Sequence, residues 1–146
     1  MIKRIEIEGH PVDINTSAGW FFVYRRQFGR DVLPDLMPVL EVLLEAAAAA
    51  MEKNNGETAA VLTAKETVDA MAAVASLESV TILNIFWSMA ANANKEIGQP
   101  EDFYNEFEVF PFDEVLPIMV EAVIESSVSK KKSTSLKQNM RIVAAR

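Results

Sequence analysis

The stretch Ile82–Ala93, "ILNIFWSMAANA", is apolar nearly all the way round a helix. A helix without a polar face cannot lie on a surface and has to be surrounded. It should therefore be the most buried segment, and the rest of the chain must supply its cover. Charge interrupts every apolar run well short of the ~20 residues that a bilayer span requires. The expected cover is therefore protein, and no membrane partner is expected. The length of 146 residues suits one domain with one core.

The covering elements are legible from periodicity. "RIEIEGHPVDINTS" alternates Ile5, Ile7, Val12 and Ile14 about Gly9-His10-Pro11, which predicts a short hairpin turning there. Two strands alone are marginal, so the hairpin should pack on helices. In "SAGWFFVYRRQFG", Trp20, Val23/Tyr24 and Gln27/Phe28 recur at helical spacing, with Phe21 widening the face. Ser17 suits an N-cap and Gly29 a left-handed C-cap, which predicts a helix over 18–28. In "DVLPDLMPVLEVLLEAAAAAMEKNNGE", two prolines four apart cannot both occupy a regular helix interior. Placing Asp35 at the N-cap leaves Pro38 in the first turn. Leu36, Leu40, Leu43/Leu44 and Ala47 then form the buried stripe, and Asn54-Asn55-Gly56 ends the helix.

The apolar segment itself closes a longer pattern. Thr63 and Glu66 form a capping box. Val68, Met71, Ala75, Ile82, Ile85/Phe86 and Met89 recur at threes and fours, interrupted by Glu78. Unbroken, residues 64–94 would span ~45 Å at 1.5 Å per residue, with Ser76–Ser79 the place to kink. A short aromatic helix over 101–107, a turn at Phe110-Pro111 and a last helix over about 113–128 follow. Pro117 is expected in the first turn of that helix, with Val115/Leu116, Met119/Val120 and Val123 facing the core. The fold class expected is mainly α: a small helical domain over residues 1–128 with a short N-terminal β-hairpin. Residues 129–146 then form a basic tail with the composition of a disordered segment. Within it, Leu136, Met140 and Val143 could form a short helix on a partner's apolar groove.

Charge is divided unevenly. Of 14 basic residues, Lys130, Lys131, Lys132, Lys137, Arg141 and Arg146 lie in the tail, which has no acid. Residues 1–128 thus hold 8 basic residues against 21 acids, a net charge of −13 within an overall −7. An acidic body repels nucleic acid and anionic lipid, so no nucleic-acid partner is expected for it. The tail can bind a polyanion or fold back on its own body. "MIKRIEIEGH" lacks the apolar core of a signal peptide, which points to the cytoplasm.

The chemistry available is limited. With no cysteine and His10 as the lone histidine, disulfides, cysteine-ligated metals, histidine triads and multi-histidine metal sites are ruled out. The glycines are isolated, so there is no phosphate-binding loop. Glu101/Asp102 and Asp113/Glu114 could do acid–base work, but each pair opens a predicted helix, where acids suit the dipole. Arg25 and Arg26 likewise suit the end of the first helix. Phe103, Tyr104, Phe107, Phe110 and Phe112 read either as a core corner or as a partner groove. The expectation is a binding protein, not an enzyme, with no cofactor and no metal.

The short β-start followed by "GWFFVYRRQFGRDVLPDL" resembles the tail assembly chaperones of long-tailed, siphovirus-like bacteriophages and prophages. "TILNIFWSMAANAN" and "PEDFYNEFEVFPFDEVLPIMVEAVIESS" are similar to that family's later apolar helix, aspartate–aromatic segment and closing helix. The resemblance covers about residues 5–127 and rests on the order and spacing of loose motifs. It carries over to Tyr24, Arg25, Phe28, Gly29 and Asp31 as candidate partner-binding residues; Phe103, Tyr104 and Phe107 join them as the candidate groove.

The resemblance implies a non-enzymatic protein in the host bacterial cytoplasm, absent from the mature virion. It would coat the tape measure protein, keep it soluble and help recruit the tail tube protein, as a homo-oligomer or multi-copy coat. Met71, Met89 and Met119 would either adapt to varied partner sequence or fill the core. The family also implies a longer product made by ribosomal frameshifting, for which Lys130-Lys131-Lys132 could supply an adenine run. Rival readings are a structural adaptor of a phage head–tail or tail assembly, a nucleic-acid module acting through the tail, and a small carboxylate enzyme.

Overall fold

The structure is a computed structural model that describes residues 1–54 and 64–127, without the side chains at 46–54, 64–67 and 70. The chain runs β1 (Ile2–Ile7), β2 (His10–Asn15), α1 (Trp20–Phe28), α2 (Leu33–Asn54), α3 (Ala64–Ala75), α4 (Ser79–Ala93), α5 (Pro100–Tyr104) and α6 (Phe112–Ser127). The fold is mainly α with an N-terminal antiparallel hairpin, as the periodicity implies. The tail from 129 onward, the Thr63 capping box and the helix-ending Asn55-Gly56 lie outside the described residues.

The hairpin turns earlier than its glycine and proline suggest. Glu8 and Gly9 form the two-residue turn, both with positive φ (53° and 78°), and His10 and Pro11 belong to β2. Two successive left-handed residues match the twist of the strands they join. That turn pairs Ile5 with Val12 and Ile7 with His10. Ile5, Ile7, Val12 and Ile14 consequently share the buried face. Pro11 is tolerated because a two-stranded sheet has only edges. Lys3 ties the hairpin to α6 through Glu125 at 2.9 Å and Glu121 at 3.5 Å. The Thr16 hydroxyl donates to the same Glu125 carboxylate at 2.6 Å.

The apolar segment occupies the centre. α4 packs against β2 and α1 and also meets α3, which in turn packs against α2 and α6. Ile82, Ile85, Phe86, Trp87, Met89 and Ala90 are buried. A large apolar side chain contributes about 1.5–3 kcal/mol on full burial, so this helix anchors the core. Its Ser88 hydroxyl, also buried, donates to the Asn84 carbonyl within the helix at 2.8 Å, which removes the cost of a polar atom there.

The long helical pattern breaks at Ser76–Glu78. The Ser76 hydroxyl donates to the Ala73 carbonyl at 2.7 Å, and Glu78 is extended (ψ 141°) before α4 begins. Serine competes in this way for the carbonyls that would continue the helix. The break rotates the buried face: Val74 is buried, whereas Ala75 and Val68 are exposed.

The prolines sit differently from their predicted places. α2 starts at Leu33, so Pro34 occupies the first turn and Pro38 lies inside the helix. The Asp31 carboxylate, not that of Asp35, caps this end by accepting the Leu33 N–H at 3.0 Å. Asp35 instead pairs with Arg30 at 2.9 Å. Pro117 lies inside α6 and not in its first turn, because that helix already begins at Phe112. α1 starts at Trp20, two residues later than predicted, and Ser17 gives no side-chain cap. Its N–H is instead held by the Asn15 side chain at 3.0 Å. α5 stops at Tyr104 instead of reaching 107.

Candidate functional site

The segment Tyr24–Asp31 builds the corner between α1 and α2. Tyr24 is buried between Trp20, which it meets edge-to-face (ring centroids 6.5 Å), and Phe28, whose ring is tilted against it (4.8 Å). Burial pushes its hydroxyl above the ordinary tyrosine range, with the Asp35 charge acting in the same direction. Gly29 adopts a left-handed conformation (φ 71°) and its N–H closes α1 on the Arg25 carbonyl. The Arg25 guanidinium returns a bond to the Gly29 carbonyl at 3.0 Å. Asp31 then caps α2. Tyr24, Phe28, Gly29 and Asp31 thus have a local structural task, and Arg25 has one as well.

The aromatic corner is a chain of edge-to-face contacts. Phe103 meets Tyr104 at 5.0 Å and Phe107 at 5.4 Å, and Tyr104 meets Phe110 at 5.5 Å. Phe110 continues the chain to Phe86 of α4 at 5.2 Å. The Tyr104 hydroxyl donates to the Leu83 carbonyl, and burial raises its pKa well above the usual tyrosine value. Phe103 is buried, while Tyr104 and Phe107 are half-buried. The corner is pinned from outside by Glu8, whose carboxylate accepts the N–H of Val109 at 2.8 Å and of Glu108 at 3.1 Å. His10 stands beside it, its ring 5.9 Å from Phe107. These rings largely satisfy one another, as a core corner does. Met89 and Met119 are likewise buried in the core, and Met71 is half-buried against it.

Beside the exposed Val109 at this corner, a further group of exposed apolar side chains lies on α1 and α2. Phe22 is 72% exposed, Leu33 41%, Met37 42% and Leu44 42%. Leu44 is thus a correction to the buried stripe that the spacing predicts, whereas Leu43 beside it is buried. On α2, Leu33, Met37 and Leu44 fall within about 40° of arc at 3.6 residues per turn. Phe22 joins Phe21, Arg25 and Asp31 around an open depression of about 440 Å³ at the α1–α2 corner. The available signal was Phe22 falling off the Trp20/Tyr24/Phe28 face, and Leu33 and Met37 standing one turn apart.

A second, polar cleft of about 510 Å³ lies between α1 and the end of α4, with Arg26 and Lys95 among its lining residues. Among the described residues, no group of three or more His, Cys, Asp or Glu could hold a metal ion. Among them, too, no helix is long and apolar enough to cross a membrane. No protein-family model, curated protein or solved structure matches this chain.

Proposed function

We propose that this chain is a non-enzymatic tail assembly chaperone of a long-tailed bacteriophage or prophage. In this reading it binds apolar helical stretches of the tape measure protein in the host cytoplasm, keeps them soluble and helps recruit tail tube subunits. The family assignment rests on the order of the sequence motifs. The observation that carries the binding role is the exposed stripe Leu33–Met37–Leu44 on α2, with Phe22 of α1 exposed as well. Apolar side chains one and two turns apart on one face of a helix suit the apolar face of a partner helix. An acidic body keeps such a protein soluble while that face is free.

The test is co-expression with the longest coiled-coil-like product encoded nearby. Solubility of that product only in the presence of this chain, with co-purification, is the expected result. If the product stays insoluble and unbound while this chain appears in purified particles, the structural-adaptor reading replaces it.

A further inference from the structure

Most of the cations whose side chains are described are already engaged. Lys3, Arg4 and Arg30 form ion pairs with carboxylates, and Arg25 holds the Gly29 carbonyl. Arg26 and Lys95 have no such partner among the described residues. In a chain of net charge −7, these two side chains come together in one concavity. They come from different elements, Arg26 from α1 and Lys95 from the turn after α4, so the fold and not local sequence brings them together.

Hydrogen bonds that involve neither cation fix the walls of the cleft. The Gln27 side chain donates to the Gln99 side chain at 2.8 Å, joining α1 to the α4–α5 connection. The Trp87 indole N–H donates to the Gly98 carbonyl at 3.0 Å, which fixes the floor. Val23 adds apolar surface to the same cleft. Ligand groups entering such a cleft meet walls that need little reordering.

We propose that this cleft is a binding site for carboxylate groups on short aliphatic stems, presented by an acidic polypeptide segment. Arginine and lysine supply charge-assisted donors to a carboxylate, and the floor of Trp87 and Val23 accommodates the stem. The acidic body disfavours a densely charged polyanion, whose repulsion from the remaining acids grows with each added charge. A glutamate-bearing segment places single charges where the two cations are. The proposal rests on Arg26, Lys95 and the cleft, and stands apart from the tail-assembly reading.

Calorimetric titration of the full chain tests it with three probes: a short alanine-based helical peptide bearing glutamates, the same peptide with glutamines, and free glutarate. The indole N–H resonance of Trp87 reports whether binding occurs in the cleft. The glutamate peptide is expected to bind and shift that resonance, with affinity falling as salt rises, and the glutamine peptide is not. Arg26→Gln and Lys95→Gln, both at exposed positions, should each weaken binding roughly tenfold, and the lost helix-end charge at Arg26 should move the melting temperature by no more than a few degrees. Glutarate binding at least as tightly as the peptide, and losing affinity in both variants, would retain the carboxylate site but overturn the polypeptide source. Equal binding of both peptides, no binding of any acid, or undiminished binding by the double variant overturns the site itself.

Discussion

Arg25 and Gly29 are bonded to each other twice: the guanidinium donates to the Gly29 carbonyl at 3.0 Å and the Gly29 N–H donates to the Arg25 carbonyl at 2.9 Å. One bond closes the helix backbone and the other satisfies the carbonyl just beyond it. This pair explains why an arginine precedes a phenylalanine–glycine step at this point. Gly29→Ala meets no atom within 4 Å, so its cost is backbone strain alone at φ 71°. A loss of about 1–2 kcal/mol is expected. Arg25→Ala should cost about 0.3–1 kcal/mol through the lost helix-end charge. Denaturant midpoints at constant m-value would measure both.

Glu8 joins the hairpin turn to the aromatic corner. Its carboxylate accepts two backbone N–H groups, from Glu108 and Val109, while its own backbone is left-handed. Glu8→Ala keeps the strained backbone and removes both bonds, with an expected cost of about 1–2 kcal/mol. Hydrogen exchange should speed up at the Glu108 and Val109 amides ahead of the core of α4. Unchanged exchange at both amides would show that this clamp holds nothing.

Tyr24 and Tyr104 make the fold sensitive to alkali. Burial raises both hydroxyls above the ordinary value, so the folded state keeps protons that the unfolded chain releases. The corresponding stability is fully present below about pH 10, the unfolded value, and is lost as pH rises beyond it. Tyr104→Phe should cost about 0.5–1.5 kcal/mol at neutral pH by removing the hydroxyl bond to the Leu83 carbonyl. It should also flatten the alkaline fall in stability, leaving the contribution of Tyr24. Urea titrations at pH 7 and above pH 10 would separate the two effects.

Phe22 and Met37 are exposed and carry the proposed partner surface. Phe22→Asp and Met37→Asp should each weaken capture of the apolar partner about tenfold or more. Stability should change by no more than about 0.5 kcal/mol, as for other surface substitutions. Pull-down beside a thermal melt makes the distinction. A loss of binding accompanied by unfolding would place these side chains in the fold and not on the interface.

What the sequence determined by itself was local: which segments are helical, where the hairpin lies, and that the segment around Phe86 must be central. Those features follow from periodicity and from an apolar run that has no polar face to present to water. Gly29 was also legible, because few residues other than glycine close a helix in a left-handed turn without strain. Other decisions needed contacts between distant residues. The hairpin turn falls at Glu8–Gly9 because its strained glutamate gains two amides one hundred residues later in the chain. Leu43 is buried and Leu44 exposed because other elements cover one side of α2 only. That Arg26 and Lys95 line one cleft depends on how α1 packs against α4. Spacing along one element fixes which side chains share a face; only packing between elements decides which face meets water and which charges meet each other.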